Sequence, residues 1–468
     1  MRKSLLLLLL LTLSCWMNGQ NRWQHGRLKV SPDNFYLQYE DGTPFFWLGD
    51  TGWQMFSRLT LEEAKTYLDN RAAKGFNVIQ AVILSESDLE KENRYGSRPL
   101  QDSDPLKPNE KYFSIIDSVV GLALDRHLFL ALVATWGDRV GKLMKNGPVI
   151  FDSTNAYQYG KWLGNRYRNY PNIIWIMGGD NPPKTDTSDF ISIWSSMAKG
   201  IIDATHHQCM ITYHPRGARS SSEWLHKESW LDFNMLQSSH GRHDAPNWDM
   251  VRTDRSYTPA KPTLDGEPNY EDHPVSPWPK WHVDSGYFRD YDVRKQLYRS
   301  VFAGACGVTY GHHAIWQFVS ERDEVENYAD RGWMNAMDRP GAYQAGYLRR
   351  LIESRPMQGR IPDNTIIITG QSPINKEHAE AFRSADASYC MVYLPAGQKI
   401  KLNLQFMKCK SITTWWFDPK NGTAQNKGTA VRMDNMEFTA PATGMGNDWV
   451  IVIDDAEKNY KEPGVRTM

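Results

Sequence analysis

Cysteine is scarce, at 5 in 468 residues, so the chain lacks the disulfide framework that staples small secreted domains. Cys15 falls in the first twenty residues. Cys209 and Cys306 open two separate expected strands, and Cys390 and Cys409 flank an expected hairpin turning at Pro395-Ala396-Gly397. Such a hairpin would leave Cys390 and Cys409 more than ~20 Å apart, beyond disulfide reach. Free buried thiols are therefore expected. An excess of one charge is also missing: 54 Lys and Arg balance 54 Asp and Glu, and setting aside Arg2 and Lys3 of the leader leaves 52 − 54 = −2. A near-neutral chain has no electrostatic footprint for nucleic acid or an anionic membrane. Beyond the leader no apolar run approaches the ~20 residues that span a bilayer. No P-loop or dinucleotide fingerprint stands between a strand and a helix, and neither His-Glu-x-x-His nor Cys-x-x-Cys occurs. No cofactor and no catalytic metal are expected. The pairs His240/His243 and His312/His313 keep a metal-dependent hydrolase as an alternative.

What is present begins with Arg2-Lys3, an apolar run from Leu5 to Leu13, and small or polar residues at Asn18-Gly19-Gln20. Residues 1–20 read as a secretory signal peptide, too short to span a membrane. Export across the inner membrane to the periplasm is expected, with lipid anchoring through Cys15 as the alternative. The remaining length suits one large domain of roughly 250 to 350 residues plus a smaller one. Aromatic residues make up 12% of the chain, with 18 Trp, and such rings supply flat platforms that suit the apolar faces of sugars.

From residue 43 to about 320, short apolar runs alternate with amphipathic stretches. Strands are expected at Phe45–Asp50, Asn77–Ser85, Leu128–Thr135, Asn172–Gly178, Cys209–His214, Phe233–Ser238, Pro262–Glu267 and Gly307–Gly311. Helices are expected at Leu61–Lys74, Tyr112–Arg126, Asn155–Tyr170, Phe190–Thr205 and Tyr291–Ala303. Eight such strands predict a (β/α)8 TIM barrel over 21–355, with its chemistry at the C-terminal strand ends. After a last helix at Tyr343–Glu353, short β-rich runs separated by Pro, Gly and Asn turns predict a small antiparallel β-sandwich over 356–468.

The residues that end the expected strands are polar: Asp50, Ser85, Thr135-Trp136, Gly179-Asp180, His214, Gln237 to His240, Glu267, and Tyr310 to His313. Their convergence at one end is what an enzyme site requires. A glycosidic bond breaks through an oxocarbenium-like state, so one carboxylic acid protonates the departing oxygen while a second carboxylate attacks or stabilises the anomeric carbon. Asp180 and Glu267, at the ends of strands four and seven, are the pair that the resemblance of their flanking runs to a glycosidase clan implies. Asp265, two residues before Glu267, is expected to lie on the same side of the strand, one layer deeper. His214, Gln237, His240, Tyr270 and His312 are candidates for hydroxyl contacts, with Asp50. Trp53, Trp136 and Trp316 are candidate stacking surfaces. Loops 86–110 and 268–290 are expected to wall a short blind pocket.

The run Pro171-Asn172-Ile173-Ile174 through Gly178-Gly179-Asp180-Asn181 resembles strand four of the large retaining glycosidase clan, with Asp180 on the acid/base position. Lys261-Pro262 through Asp265-Gly266-Glu267-Pro268 resembles strand seven of that clan, with Glu267 on the nucleophile. Retention is the expected outcome, although Asp180, one methylene shorter than Glu, would widen the gap. At finer detail the chain resembles the apiosidases of glycoside hydrolase family 140. The resemblance rests on Leu48-Gly49-Asp50-Thr51-Gly52-Trp53, Gly178-Gly179-Asp180, Leu236-Gln237-Ser238-Ser239-His240, Asp265-Gly266-Glu267-Pro268-Asn269-Tyr270 and Tyr310-Gly311-His312. Trp416-Phe417-Asp418-Pro419 and Asp448-Trp449-Val450-Ile451-Val452 resemble the sandwich, named for collagen binding, that many such barrels carry. The resemblance implies Asp180 as acid/base, Glu267 as nucleophile, and release of apiose from a pectic oligosaccharide of rhamnogalacturonan II. Action on another plant polysaccharide, and a non-catalytic carbohydrate-binding barrel, are the alternatives.

Overall fold

The computed structural model describes residues 23, 25–85, 89–141, 148–278, 280–372 and 375–465. The expected signal peptide, with Cys15, lies outside the described residues. Eight parallel strands carry the first domain: β1 (Trp47–Thr51), β2 (Val78–Val82), β3 (Phe129–Val133), β4 (Ile173–Gly178), β5 (Ile211–His214), β6 (Asn234–Gln237), β7 (Thr263–Asp265) and β8 (Gly307–Tyr310). They pair in the order β5-β4-β3-β2-β1-β8-β7-β6. The seam between β5 and β6 is held by Asp232 N donating to Ile211 O at 2.9 Å and Thr212 Oγ1 to Phe233 O at 2.7 Å. These strands are buried from end to end, as strands covered on both faces must be.

The helices follow in turn: α1 (Leu61–Ala73), α2 (Glu110–Leu124), α3 (Ser153–Tyr167), α4 (Ile191–Thr205), the single turn α5 (Ser222–Leu225), α6 (Asn247–Ser256), α7 (Asp290–Phe302) and α8 (Pro340–Glu353). Capping boxes start α1 at Thr60/Glu63 and α3 at Asp152/Asn155. The polar α6 buries Trp248 and Val251 as its large apolar side chains, too weak a stripe to stand out in the sequence. Beneath the barrel, Leu28–Val30, Leu37–Tyr39 and Pro44–Phe45 form an antiparallel sheet. Its Leu28, Leu37 and Phe45 share one core with Val78, Phe129 and Ile174 and so plug the end opposite the strand termini.

The second domain has β9 (Arg360–Pro362), β10 (Ile367–Thr369), β11 (Glu380–Ser384), β12 (Tyr389–Leu394), β13 (Ile400–Asn403), β14 (Ser411–Asp418), β15 (Thr423–Val431), β16 (Asn435–Phe438) and β17 (Trp449–Asp455). A six-stranded sheet, β9-β11-β12-β17-β14-β15, faces a three-stranded one, β10-β13-β16. The hairpin expected at Pro395-Ala396-Gly397 is corrected: β12 pairs with β11 and β17, and β13 crosses to the other sheet. Cys390 therefore lies opposite Arg383 and Ile453. Cys209, Cys306, Cys390 and Cys409 are free thiols. Trp416 and Trp449 are core residues.

Helices α7 and α8 lie between the barrel and the six-stranded sheet, and one apolar core runs through the junction. Tyr298 stacks on Tyr393 at 4.9 Å and Phe302 meets Phe382 edge-on at 4.8 Å. Arg294 grips Asp448 through two bonds of 2.8 and 2.6 Å, and Arg355 grips Asp454 through two of 2.8 and 2.7 Å.

Candidate active site

A cavity of about 620 Å³ opens at the C-terminal ends of the strands. Asp180 and Glu267 both line it. One oxygen of each carboxylate and a ring nitrogen of His214 lie within 4.8 Å of one another.

Glu267, just past the end of β7, is buried and sits between two imidazoles. His240 Nε2 lies 3.0 Å from Oε1 in hydrogen-bonding geometry. His214 Nε2 lies 2.8 Å from Oε2, an ion-pair contact too bent for a good hydrogen bond. Burial opposes ionisation of Glu267, but the two imidazoles overcome it and hold its carboxyl well below the usual range. Burial likewise opposes the charged form of His214, and Glu267 more than offsets it, so the imidazole pKa is raised. The Nδ1 of His240 accepts from Tyr270 N at 3.3 Å, which leaves Nε2 as the donor to Glu267.

Asp180 is delivered by an unusual turn. Gly178, Gly179 and Asp180 carry φ of +86°, +117° and +52° in succession. The left-handed region suits glycine at the first two positions. A Cβ at Gly178 would also meet His214 O at 2.4 Å, and one at Gly179 the Trp136 ring at 2.7 Å. Asn181 Nδ2 donates to Asp138 Oδ1 at 3.0 Å and Asn181 O accepts from Tyr213 at 2.8 Å, anchoring the turn just beyond Asp180.

Around the carboxylates, Trp53 meets Trp136 at 5.7 Å between ring centres and His214 at 5.4 Å, and donates Nε1 to Tyr270 OH at 3.1 Å. Three imidazoles lead away from Glu267, His240 stacked on His273 at 4.2 Å and His273 edge-on to His313 at 4.3 Å. Burial pushes His273 well down and His313 to about 3, so both are neutral partners. Trp53, Trp136, Gln237, His240, Tyr270 and Trp316 line the cavity.

Four sequence expectations are corrected. Asp50 is fully buried, accepting from Tyr67 OH at 2.6 Å and paired with Arg71, and so holds α1 to β1 rather than a sugar. His312 is buried against Asp272, 3.2 Å away, and caps the short helix His313–Trp316. His214 does not line the cavity; it stands behind Glu267 and acts through it. Asp265 faces the helices, accepting from Ser300 Oγ at 2.7 Å, Ser238 Oγ at 2.9 Å and Asn247 Nδ2 at 3.3 Å, because β7 ends there and its alternation does not continue to Glu267. Burial raises its carboxyl to about 6.

The walls also differ from expectation. Loop 268–290 contributes His273 and Trp278, but the described part of 86–110 contributes no lining residue. Its place is taken by Glu326 and Asn327, beyond β8, and by Arg216 beyond β5. These loops carry no period that a sequence reading detects; the exposed Trp278 within an aromatic loop was the one available signal.

Asp180, His214 and Glu267 are also a donor set on which a metal ion could close. A ligating imidazole must give up its proton at the ligating nitrogen. Glu267 instead favours the protonated form of His214 and takes its Nε2 as partner, so the geometry fits an ion pair better than a coordination shell.

A barrel with two facing carboxylates above its strands, one kept ionised and one on the rim, is the frame of a glycoside hydrolase. Residues 31–359 match the family described as "Apiosidase-like, catalytic domain", and residues 361–454 match "Putative collagen-binding domain of a collagenase". The chain is similar to a solved structure called "Glycoside hydrolase", at 32% identity and a TM-score of 0.86, with 94% of this chain and 99% of that one covered. It is similar also to a glycoside hydrolase family 5 protein from Bacteroides vulgatus ATCC 8482, at 31% identity and a TM-score of 0.86, over 94% of this chain and 96% of that one. No curated protein matches the chain. The chain belongs to the apiosidase-like family of glycoside hydrolases.

Proposed function

We propose that the protein is a retaining, exo-acting apiosidase that releases apiose from the side chains of rhamnogalacturonan II in the periplasm. The observation that carries this reading is the approach of Asp180 and Glu267, within 4.8 Å, in one cavity of a barrel of this family. Retaining glycosidases place their carboxyls about 5 to 5.5 Å apart and inverting ones ~6.5 to 9.5 Å. The approach within 4.8 Å, reached with Asp in place of the longer Glu, supports retention over inversion.

In the first step Asp180 gives its proton to the glycosidic oxygen as the bond to the anomeric carbon breaks, and Glu267 bonds to that carbon. The imidazoles that keep Glu267 ionised suit it to attack. In the second step Asp180 takes a proton from water, the water oxygen bonds to the anomeric carbon, and Glu267 leaves as carboxylate. The Trp53, Trp136, Trp278 and Trp316 rings in the cavity lining suit the apolar faces of a sugar, which supports a carbohydrate as the ligand.

Rhamnogalacturonan II oligosaccharides incubated with the enzyme should yield free apiose and products one sugar shorter. Release of interior fragments without apiose would refute both substrate and mode. Chelation with EDTA should leave turnover unchanged; loss on chelation with recovery on adding zinc would favour the metal-dependent alternative.

A further inference from the structure

His214, His240, His312 and His313 each engage both ring nitrogens within the protein. His214 meets Glu267 through Nε2 and Asp180 N through Nδ1, and His240 meets Glu267 and Tyr270 N. His312 meets Asp272 and Ala314 N, and His313 meets Asn327 O and Trp316 Nε1. His273, set between His240 and His313, does not follow them. Its Nδ1 lies 2.6 Å from Pro274 O, while no group among the described residues bonds to Nε2. The side chain is 97% buried yet lines the cavity, and Nε2 is not sealed in the interior.

The chemistry of that nitrogen is fixed by its surroundings. A carbonyl oxygen only accepts, so the proton sits on Nδ1 and Nε2 carries a bare lone pair. Burial, with His240 and His313 alongside, keeps the ring neutral. Its position is fixed as well. The ring stacks on His240 with planes 26° apart and stands at 70° to His313. Its loop is pinned by His273 N donating to Tyr270 O at 3.2 Å and Phe288 N to His273 O at 2.9 Å. An acceptor held in this way has little ordering left to do on binding.

A carboxylate or a carbonyl gains nothing from a bare lone pair, whereas a hydroxyl donates to it. The wall that bears His273 assigns the group it meets. His273 follows β7 and stacks on the imidazole that bonds to Glu267. A nucleophile reaches the anomeric carbon from the side opposite the departing oxygen, so this wall meets the sugar that is transferred. Resting on the glycosidase reading above, we propose that His273 Nε2 accepts a hydrogen bond from a hydroxyl of that sugar and selects the sugar by where the hydroxyl stands. A sugar with no hydroxyl there leaves a buried lone pair unpaired, the mismatch by which polar sites discriminate most strongly.

The test uses the full chain and four free sugars that differ in where their hydroxyls stand, D-apiose, L-arabinose, D-galactose and L-rhamnose, each titrated by calorimetry. Wild type should prefer one of them. His273→Phe keeps a flat ring against His240 and removes the lone pair, so it should weaken the preferred sugar about tenfold and bring its affinity toward that of the others. His273→Gln, which returns an acceptor, should restore part of the preference. If the Phe variant does not fold, His273→Met against His273→Gln makes the same comparison with side chains of nearly equal shape. Equal affinity of wild type and the acceptor-free variant for the preferred sugar would reduce His273 to a packing partner of His240 and overturn the proposal, as would the absence of any preference in wild type. None of these readouts needs turnover. A His273-dependent preference for a sugar other than apiose would sink the apiosidase reading and leave the acceptor site standing.

Discussion

Buried charge is handled in opposite ways at the barrel mouth and at the junction with the sandwich. At the junction, Arg294 with Asp448 and Arg355 with Asp454 are forked pairs in which both carboxylate oxygens accept well-formed bonds. Arginine does not titrate, so the cation of each pair keeps its charge across the working pH range. At the mouth, Glu267 is held by imidazoles, one well aligned and one bent. Histidine titrates near neutrality, and an incompletely bonded carboxylate keeps a lone pair for chemistry. The difference separates charges that set the placement of two domains from charges that are poised to react.

The sharpest break of this comparison is at the carboxylates themselves. Glu267→Gln and Asp180→Asn each remove a charge or a proton with almost no change in shape. Turnover should fall by about 10² to 10⁴, the range of general acid–base contributions, while circular dichroism and Tm stay near those of wild type. A properly folded variant with near-normal turnover would remove that residue from the mechanism.

The junction should answer in the reverse way. Asp448→Ala removes the forked partner of the buried Arg294 guanidinium and leaves it only Asp290 and Gln344 on Nη1; breaking one partner of a buried pair costs up to about 3–5 kcal/mol. Denaturant titration should show that loss, with the pH profile of turnover in the remaining folded enzyme unmoved. A stability change under ~1 kcal/mol would mean that the apolar contacts around Tyr298 and Phe302 alone hold the domains together.

How far these roles were legible in the sequence follows from how locally each is encoded. The eight strands are continuous apolar runs, and each was visible within a few residues of its observed place. Asp180 and Glu267 stand in runs whose order along the chain is informative. Asp50 and His312 end their strands just as those two do, but Arg71 on α1 and Asp272 after β7 claim them. Which strand-end side chain is left for a ligand depends on long-range partners, and no local pattern records that. The same reason hides the fate of β13, whose crossing to the other sheet depends on pairing with β10 and β16.

Smaller effects sharpen the contrast through pH. Glu271 is buried beneath the mouth, accepting from Tyr310 OH at 2.6 Å and Gly341 N at 3.1 Å. Burial raises its carboxyl to about 7, above the ~4.3 of an unfolded chain. A carboxyl with a raised folded pKa contributes stability that is fully present below the unfolded value and lost as pH rises through the folded one. Between pH 5 and pH 8 wild type should lose roughly 2 kcal/mol relative to Glu271→Gln, measured by denaturant titration at both values. A constant difference would place the titration elsewhere.

The smallest expected effect tests the imidazole cradle directly. If His240 helps to keep Glu267 ionised, its removal must raise the Glu267 pKa, because a hydrogen bond to the charged form favours that form. The nucleophile is active as the anion, so its pKa sets the acidic limb of kcat/KM. In wild type that limb should lie at unusually low pH, consistent with the depression by two imidazoles. His240→Ala should move it upward by about one unit, equivalent to ~1.4 kcal/mol of differential stabilisation. His240→Gln keeps a neutral donor within reach of Oε1 and should move it less. The basic limb, assigned to Asp180, should respond less than the acidic one, and Asp448→Ala at the junction should move neither. An acidic limb that stays put in His240→Ala would mean that His214 alone fixes the charge, despite the poorer angle of its contact with Oε2.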